Sequence, residues 1–173
     1  MKISVLGCHG SDQLLEDPAP ARTCGTCGFL INDTLLVDAG TAGRALGLEA
    51  QRAIQGVLLS HLHFDHIQGL PTLADNRAAH SAPLPVASIP DVLHGLQSHI
   101  FNDTVYPDFF RLPSMEHPTL RPQPLTPGDS HTITGLQVTP IRVNHLVPAV
   151  GFLISDGLST VLYSGDTHQT EEL

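Results

Sequence analysis

Basic residues are scarce: lysine and arginine together number 8 against 17 aspartates and glutamates, leaving a net charge of −9. Nonspecific nucleic-acid binding and adhesion to anionic membranes both draw on basic surface, so this balance disfavours both kinds of partner. It leaves a small anionic ligand open, because the local charge of a metal ion can outweigh the global field. The cysteines number 3, at Cys8, Cys24 and Cys27, an odd count that argues against a disulfide framework and suits a reducing compartment. No apolar run approaches the ~20 residues of a membrane span, and the opening run at residues 1–7 is too short for a signal peptide. The expectation is a cytoplasmic protein with no membrane partner. Charged residues are 14% and hydrophobic residues 41%, a globular composition, and 173 residues suit one domain spanning 1–173.

Histidine is what the sequence has in excess, its 11 copies outnumbering the 8 lysines and arginines. Imidazole is the commonest metal ligand, which raises the expectation of a metal site without locating it. Residues 3–6 read as a short buried strand and residues 11–22, with Pro18 and Pro20, as a loop. Residues 28–31 and 34–37 flank Asn32-Asp33, the mark of a hairpin, and residues 41–48 suit a short helix. Residues 57–60 form a β-type run. A helix is expected over 66–80, confined to its first turns or kinked by Pro71. Residues 84–89 read as a strand and 90–100 as a helix with Pro90 at its start. The proline-dense stretch 106–128 reads as irregular, followed by strands at 132–134, 136–143, 150–154 and 160–163. Two apolar hairpins, 28–40 and 151–166, each end in a small residue beside a carboxylate, an internal echo that fits two related β-rich halves.

The strongest chemical signal is Ser60-His61-Leu62-His63-Phe64-Asp65-His66, with four donor side chains in six residues. An extended chain projects alternate side chains to one side, which would align His61, His63 and Asp65, with His66 at the start of the next helix. Such a set suits two cations sharing a cavity, typically ~3.5–4 Å apart. Catalytic metal sites also take ligands from distant parts of the chain. His145 ends one strand and Asp166 follows another through Gly165. Taken alone, the first is a strand-end histidine and the second a turn aspartate. Cys24-Gly25-Thr26-Cys27 lacks a second cysteine pair and is read as packing thiols.

The 61–66 motif, the isolated His145 and Ser164-Gly165-Asp166-Thr167 together resemble the metallo-β-lactamase superfamily, over nearly the whole chain. The resemblance implies a four-layered αββα sandwich in the α/β class. It implies that His61, His63 and His145 hold a first divalent ion, that Asp65 and His66 hold a second, and that Asp166 bridges them. Zinc is the metal such a histidine and carboxylate set favours. The family pattern continues beyond the Asp166 turn to a last histidine that nothing here matches. The expectation is therefore a member with its C-terminal part missing and a weak second site. An exposed sheet edge would then invite a homo-oligomer.

Residues 98–109, Ser98-His99-Ile100-Phe101-Asn102-Asp103-Thr104-Val105-Tyr106-Pro107-Asp108-Phe109, are similar to a segment of class II cyclic-nucleotide phosphodiesterases. That narrower resemblance implies hydrolysis of a small cyclic-nucleotide substrate, cAMP to AMP, by water activated between two cations, with Asp65 orienting it. Two further readings stand beside it. One is another hydrolase of the same fold, such as a tRNA-processing nuclease or a thioester or lactone hydrolase. The other is a catalytically silent metal-binding fragment.

Overall fold

The computed structural model describes residues 1–15, 22–78 and 82–169, with backbone alone at 13–15 and 22–24. Its frame is a six-stranded sheet in the order β1 (Ile3–Gly7), β4 (Gly28–Ile31), β5 (Leu35–Val37), β6 (Gly56–Leu58), β7 (Leu84–Ser88) and β8 (Leu120–Pro124). The first three strands are antiparallel neighbours and the last three add in parallel. The hairpin expected at Asn32-Asp33 joins β4 to β5, with both residues in the left-handed region (φ 49 and 60) that a tight turn demands. Parallel neighbours need crossovers, and helices supply them. They are α1 (Ala42–Ala45) and α2 (Leu48–Ala53) before β6, α3 (Phe64–Ile67) and α4 (Leu70–Arg77) before β7, and α5 (Pro90–Gly95) before β8. Parallel strands beneath crossover helices read as continuous apolar runs. Leu35, Leu36, Val57, Leu58, Leu59, Leu84 and Val86 are accordingly all buried.

A second, antiparallel sheet runs β12 (Thr160–Tyr163), β11 (Val150–Ser155), β10 (Leu136–Arg142) and β9 (His131–Ile133). Phe152, Ile154 and Val138 turn inward and are buried, whereas Leu153 and Leu162 stay 38% and 49% exposed on the other face. No helix follows β9 among the described residues. Among the described residues helices therefore cover the six-stranded sheet and not the outside of the four-stranded one, and β12 is an edge strand. Between the sheets, Ile3, Val5, Phe29 and Val37 face Ile154 and Val161 across an apolar cleft of about 370 Å³. Among the described residues no helix is long and apolar enough to cross a membrane.

Five expectations need correction. Residues 3–6, read as a buried strand, form an edge strand on which Ile3 and Val5 are exposed. Within 11–22, β2 (Gln13–Leu15) pairs with β3 (Arg22–Cys24), and residues 16–21 lie outside the described part. The single helix over 41–48 is two short helices, because Leu46 turns extended between them. The single helix over 66–80 is also two. Gly69 breaks it where its amide bonds Ala39 O at 2.9 Å, and a Cβ there would stand 2.4 Å from that oxygen. Pro71 therefore opens α4, and residues 79–81 are not described. The stretch 106–128 contains β8 despite its prolines. Leu125 N donates to Ser88 O, so amides of that parity face β7 and Pro122 and Pro124 turn their ring nitrogens to the open edge.

Candidate metal centre

The C-terminal ends of β5 and β6 meet the ends of β10 and β12, and the titratable residues gather there. Ligands of open α/β sheets bind outside the carboxyl ends of strands for the same topological reason. β6 runs into Ser60 and His61, both fully buried, and the extended chain ends at His63. There the expected alignment needs correction. His63 caps α3 with φ −62 and ψ 144, so Asp65 sits in the helix's first turn rather than in line with His61 and His63. The helix instead brings His66 beneath His61, with ring centroids 4.1 Å apart.

His61, His63, His145 and Asp166 each offer an atom, and these atoms all lie within 4.8 Å of one another. His145 Nε2 is 3.1 Å from His63 Nδ1, and the His61 and His145 rings stand edge to face at 4.7 Å. Asp65 stands beside that quartet, its Oδ2 3.4 Å from His66 Nε2. Asp166 Oδ1 lies 3.4 Å from the same nitrogen. All six residues singled out in the sequence are thus brought together. Asp166 reaches the cluster because Gly165, at φ 57, packs on Ser60, 3.1 Å from where its Cβ would sit.

Asp38 organises the cluster from below, fully buried and in the left-handed region at φ 54. That conformation costs an L-residue about 1–2 kcal/mol, so the surroundings must hold it there. They do. Its carboxylate accepts Ser60 N at 2.8 Å, Ser60 Oγ at 2.7 Å, His66 Nδ1 at 2.7 Å and the Tyr163 hydroxyl. Burial, with the charge of Asp38 behind it, pushes the Tyr163 hydroxyl well above its ordinary value, so it stays a donor. Cys27 Sγ lies 3.2 Å from the same hydroxyl.

These bonds settle the tautomer of His61 and the orientation of His66. Ser60 gives its proton to Asp38, so its oxygen accepts from His61 Nδ1 at 2.9 Å. His61 Nε2 is then a bare lone pair, and it is buried with no hydrogen-bond partner among the described residues. Burial, then the charge of His66, pushes the His61 pKa down to about 4, which keeps the ring neutral. Burial would lower His66 too, but the hydrogen bond and charge of Asp38, with Cys27, raise it to about 10. Its Nδ1–H points at Asp38 and its Nε2 at the two carboxylates. Burial and His63 also lower His145. An orphaned imidazole nitrogen facing two more imidazoles and a carboxylate is what a divalent cation completes, so the residues present fit a metal.

Asp38, Ser60 and Tyr163 have no motif spacing that would mark them. For Asp38 and Tyr163 the one signal is the shared hairpin ending, Val37-Asp38-Ala39-Gly40 beside Tyr163-Ser164-Gly165-Asp166. The first turn places its carboxylate under the histidines and the second places its own among them. After β1, His9 N donates to Gly25 O at 3.2 Å, and a Cβ on Gly10 would be 3.8 Å from Asp65 Oδ2.

Facing sheets, crossover helices and a histidine–carboxylate cluster at the strand ends define a protein of the metallo-β-lactamase fold. The chain belongs to the β-lactamase superfamily, whose domain matches residues 33–173. The probable metallo-hydrolase YhfI of Bacillus subtilis is 29% identical over 180 residues, covering 96% of this chain and 64% of its own. Ribonuclease Z of Mycobacterium bovis is 31% identical over 188 residues, covering 100% and 65%. Among solved structures, YhfI superposes with TM-score 0.73 at 24% identity, covering 98% of this chain and 64% of that one. Unliganded yeast PDE1 superposes with TM-score 0.74 at 18% identity, covering 98% and 66%. The chain spans a little under two thirds of the length of these relatives.

Proposed function

We propose that this chain, as one domain, is the catalytic part of a metal-dependent phosphodiesterase acting on 3′,5′-cyclic nucleotides. The observation that carries the reading is the orphaned His61 Nε2, facing His63, His145 and Asp166. His61, His63 and His145 would hold one divalent cation and Asp65 and His66 a second, with Asp166 between them and zinc favoured by the donor set. Bound there, such cations supply Lewis acidity that lowers the pKa of water and positive charge that draws a phosphate to an acidic chain.

The chain's own residues do the rest. Asp38 orients His66 and Ser60 fixes the His61 tautomer, so that Nε2 of each ring faces the centre. Asp65, partly exposed with its Oδ2 3.4 Å from His66 Nε2, would orient the attacking water. Leu62, Val147 and Pro148, next in sequence to the cluster histidines, line a cavity beside it. Residues 98–109, which resemble the cyclic-nucleotide enzymes, wrap the buried Phe101 ring with Tyr106 and Phe109.

The identity with ribonuclease Z favours a second reading, a nuclease acting on tRNA. The net charge of −9 weighs against a large polyanion. Metal content and turnover of cAMP, of bis(p-nitrophenyl) phosphate and of a tRNA precursor separate the readings, with His63→Ala as control. The proposal expects bound metal, cAMP turnover, and loss of both in the variant. Unchanged metal stoichiometry in His63→Ala would remove its basis, and cleavage of the tRNA precursor alone would replace it with the nuclease.

A further inference from the structure

Beside the cluster lies a cavity of about 440 Å³, lined by Leu62, Pro90, Asp91, Val92, His94, Gly95, His99, Val147 and Pro148. It is tied to the metal centre by chain connectivity on both sides. Leu62 sits between His61 and His63, and Val147 follows His145 by two residues. The third wall is α5 and the helical turn after it. Gly95 lets that wall approach, since a Cβ there would stand 2.1 Å from Leu62 Cδ1.

His94 and His99 share this wall because of the backbone between them. In an α-helix, residues five apart point in different directions. Here α5 widens into a π-helical turn over Leu96–Ile100, seen in the Phe101 N to Leu96 O bond at 2.9 Å. A π turn closes i to i+5 and so turns the residues within it less per step than an α-helix, and His99 in that turn lines the same cavity as His94 of α5. Both imidazoles are exposed to the cavity, and Ser98 Oγ lies 3.3 Å from His94 Nε2.

The lining chemistry selects what can enter. Among the described residues no lysine or arginine lines the cavity, and Asp91 adds a negative charge. A second phosphate is therefore unwelcome, and so is the run of phosphates a nucleic-acid strand would carry past this point. Apolar walls with two flat rings and a carboxylate acceptor suit an uncharged heteroaromatic group bearing amino protons, and the volume lies in the range of small-ligand pockets, about 300–1,000 Å³. We infer that this cavity is the base pocket, in which His94 and His99 stack on or bond the nucleobase while Asp91 accepts from its amino group. The inference rests on the phosphodiesterase reading for the phosphate beside it, and it adds what the metal centre cannot supply, a preference for a nucleoside ester.

Adenosine, which carries no phosphate, isolates the pocket. Titrated into the metal-loaded protein, it should shift the His94 and His99 imidazole resonances, and inorganic phosphate should not. His99→Gln and His94→Ala change exposed side chains, so folding is checked by an unchanged melt. Each should weaken adenosine about tenfold and lower the kcat/KM ratio of cAMP over methyl p-nitrophenyl phosphate by about as much. Adenosine that leaves both imidazoles unmoved, or variants in which that ratio is unchanged, would overturn the assignment. Adenosine binding at His94 and His99 without turnover of any diester would support the pocket while removing the proposed activity. Turnover of cAMP with an unchanged ratio would do the reverse.

Discussion

Replacing Asp38 by asparagine removes one charge from the protein's interior with almost no change of shape. Its carboxylate accepts from Ser60 N, Ser60 Oγ, His66 Nδ1 and the Tyr163 hydroxyl, and is fully buried. An amide in its place brings a donor NH₂ into a ring of donors, so at least one neighbour loses its partner. Removing one member of a buried, hydrogen-bonded charge pair typically costs about 3–5 kcal/mol. Loss of an outer partner of a metal-binding histidine costs about 10–100-fold in metal affinity.

The pH dependence sharpens the test. Asp38 is the main influence raising His66 to about 10 from 6.5 against the effect of burial. A raised pKa means the folded state holds the proton more tightly than the unfolded state. Its contribution is complete below 6.5 and is lost as pH rises toward 10. In Asp38→Asn that contribution is absent throughout. Urea unfolding of chelator-treated protein should therefore show the largest gap between wild type and variant near pH 6, narrowing by pH 9. Competition with a metal indicator reads the affinity. A gap below ~1 kcal/mol that stays flat with pH, together with unchanged metal affinity, would refute the assignment of Asp38 as organiser, given the ~3–5 kcal/mol expected.

Further outcomes follow from the same contacts. Gly40→Ala would place a Cβ 1.9 Å from Asp65 O and 2.7 Å from Cys27 O, both backbone atoms. It should cost at least the ~1–3 kcal/mol of an overpacked core, read as a lower urea midpoint. Metal removal should destabilise the chain by about 2.7 kcal/mol relative to protein at a free metal concentration one hundred times its Kd, and an unshifted melt on adding chelator would count against a cation in the cluster.

How much of this was legible beforehand varies with the physical range of each signal. The 61–66 motif declared itself because donor side chains crowded after a buried strand are rare by chance. The buried parallel strands declared themselves through apolar runs such as 57–60 and 84–89. What escaped was set by tertiary contacts. Asp65 left the line of His61 and His63 because a helix begins one residue earlier, at Phe64, and alternation along an extended chain stops there. The split at Gly69 depends on Ala39, thirty residues away in sequence, and β8 could carry two prolines only because it lies on an edge. Asp38 looked like any acid ending a hairpin. Its role follows from Ser60 and Tyr163 arriving from opposite sheets, which no local pattern contains.

That convergence links the site's chemistry to the packing of the fold. His61, His63, Asp65 and His66 follow strand β6 of one sheet, while His145 and Asp166 follow β10 and β12 of the other. Protein contacts already join the two sheets at this end: Val150 N bonds Ser60 O at 3.0 Å, and Tyr163 reaches across to Asp38. The apolar cleft opens within the same interface, lined by Val37 and Tyr163 as well as by the exposed Ile3 and Val5, and at the other end the Met1 amino group pairs with Asp156 at 2.9 Å. A cation holding side chains from both sheets adds its binding free energy to the docking of the sheets, because the unfolded chain has no preformed site. Metal should accordingly protect the β11 and β12 amides from hydrogen exchange more than those of β7, whose partners all lie within one sheet. Equal protection of both would mean that the centre is a passenger on a fold already closed without it.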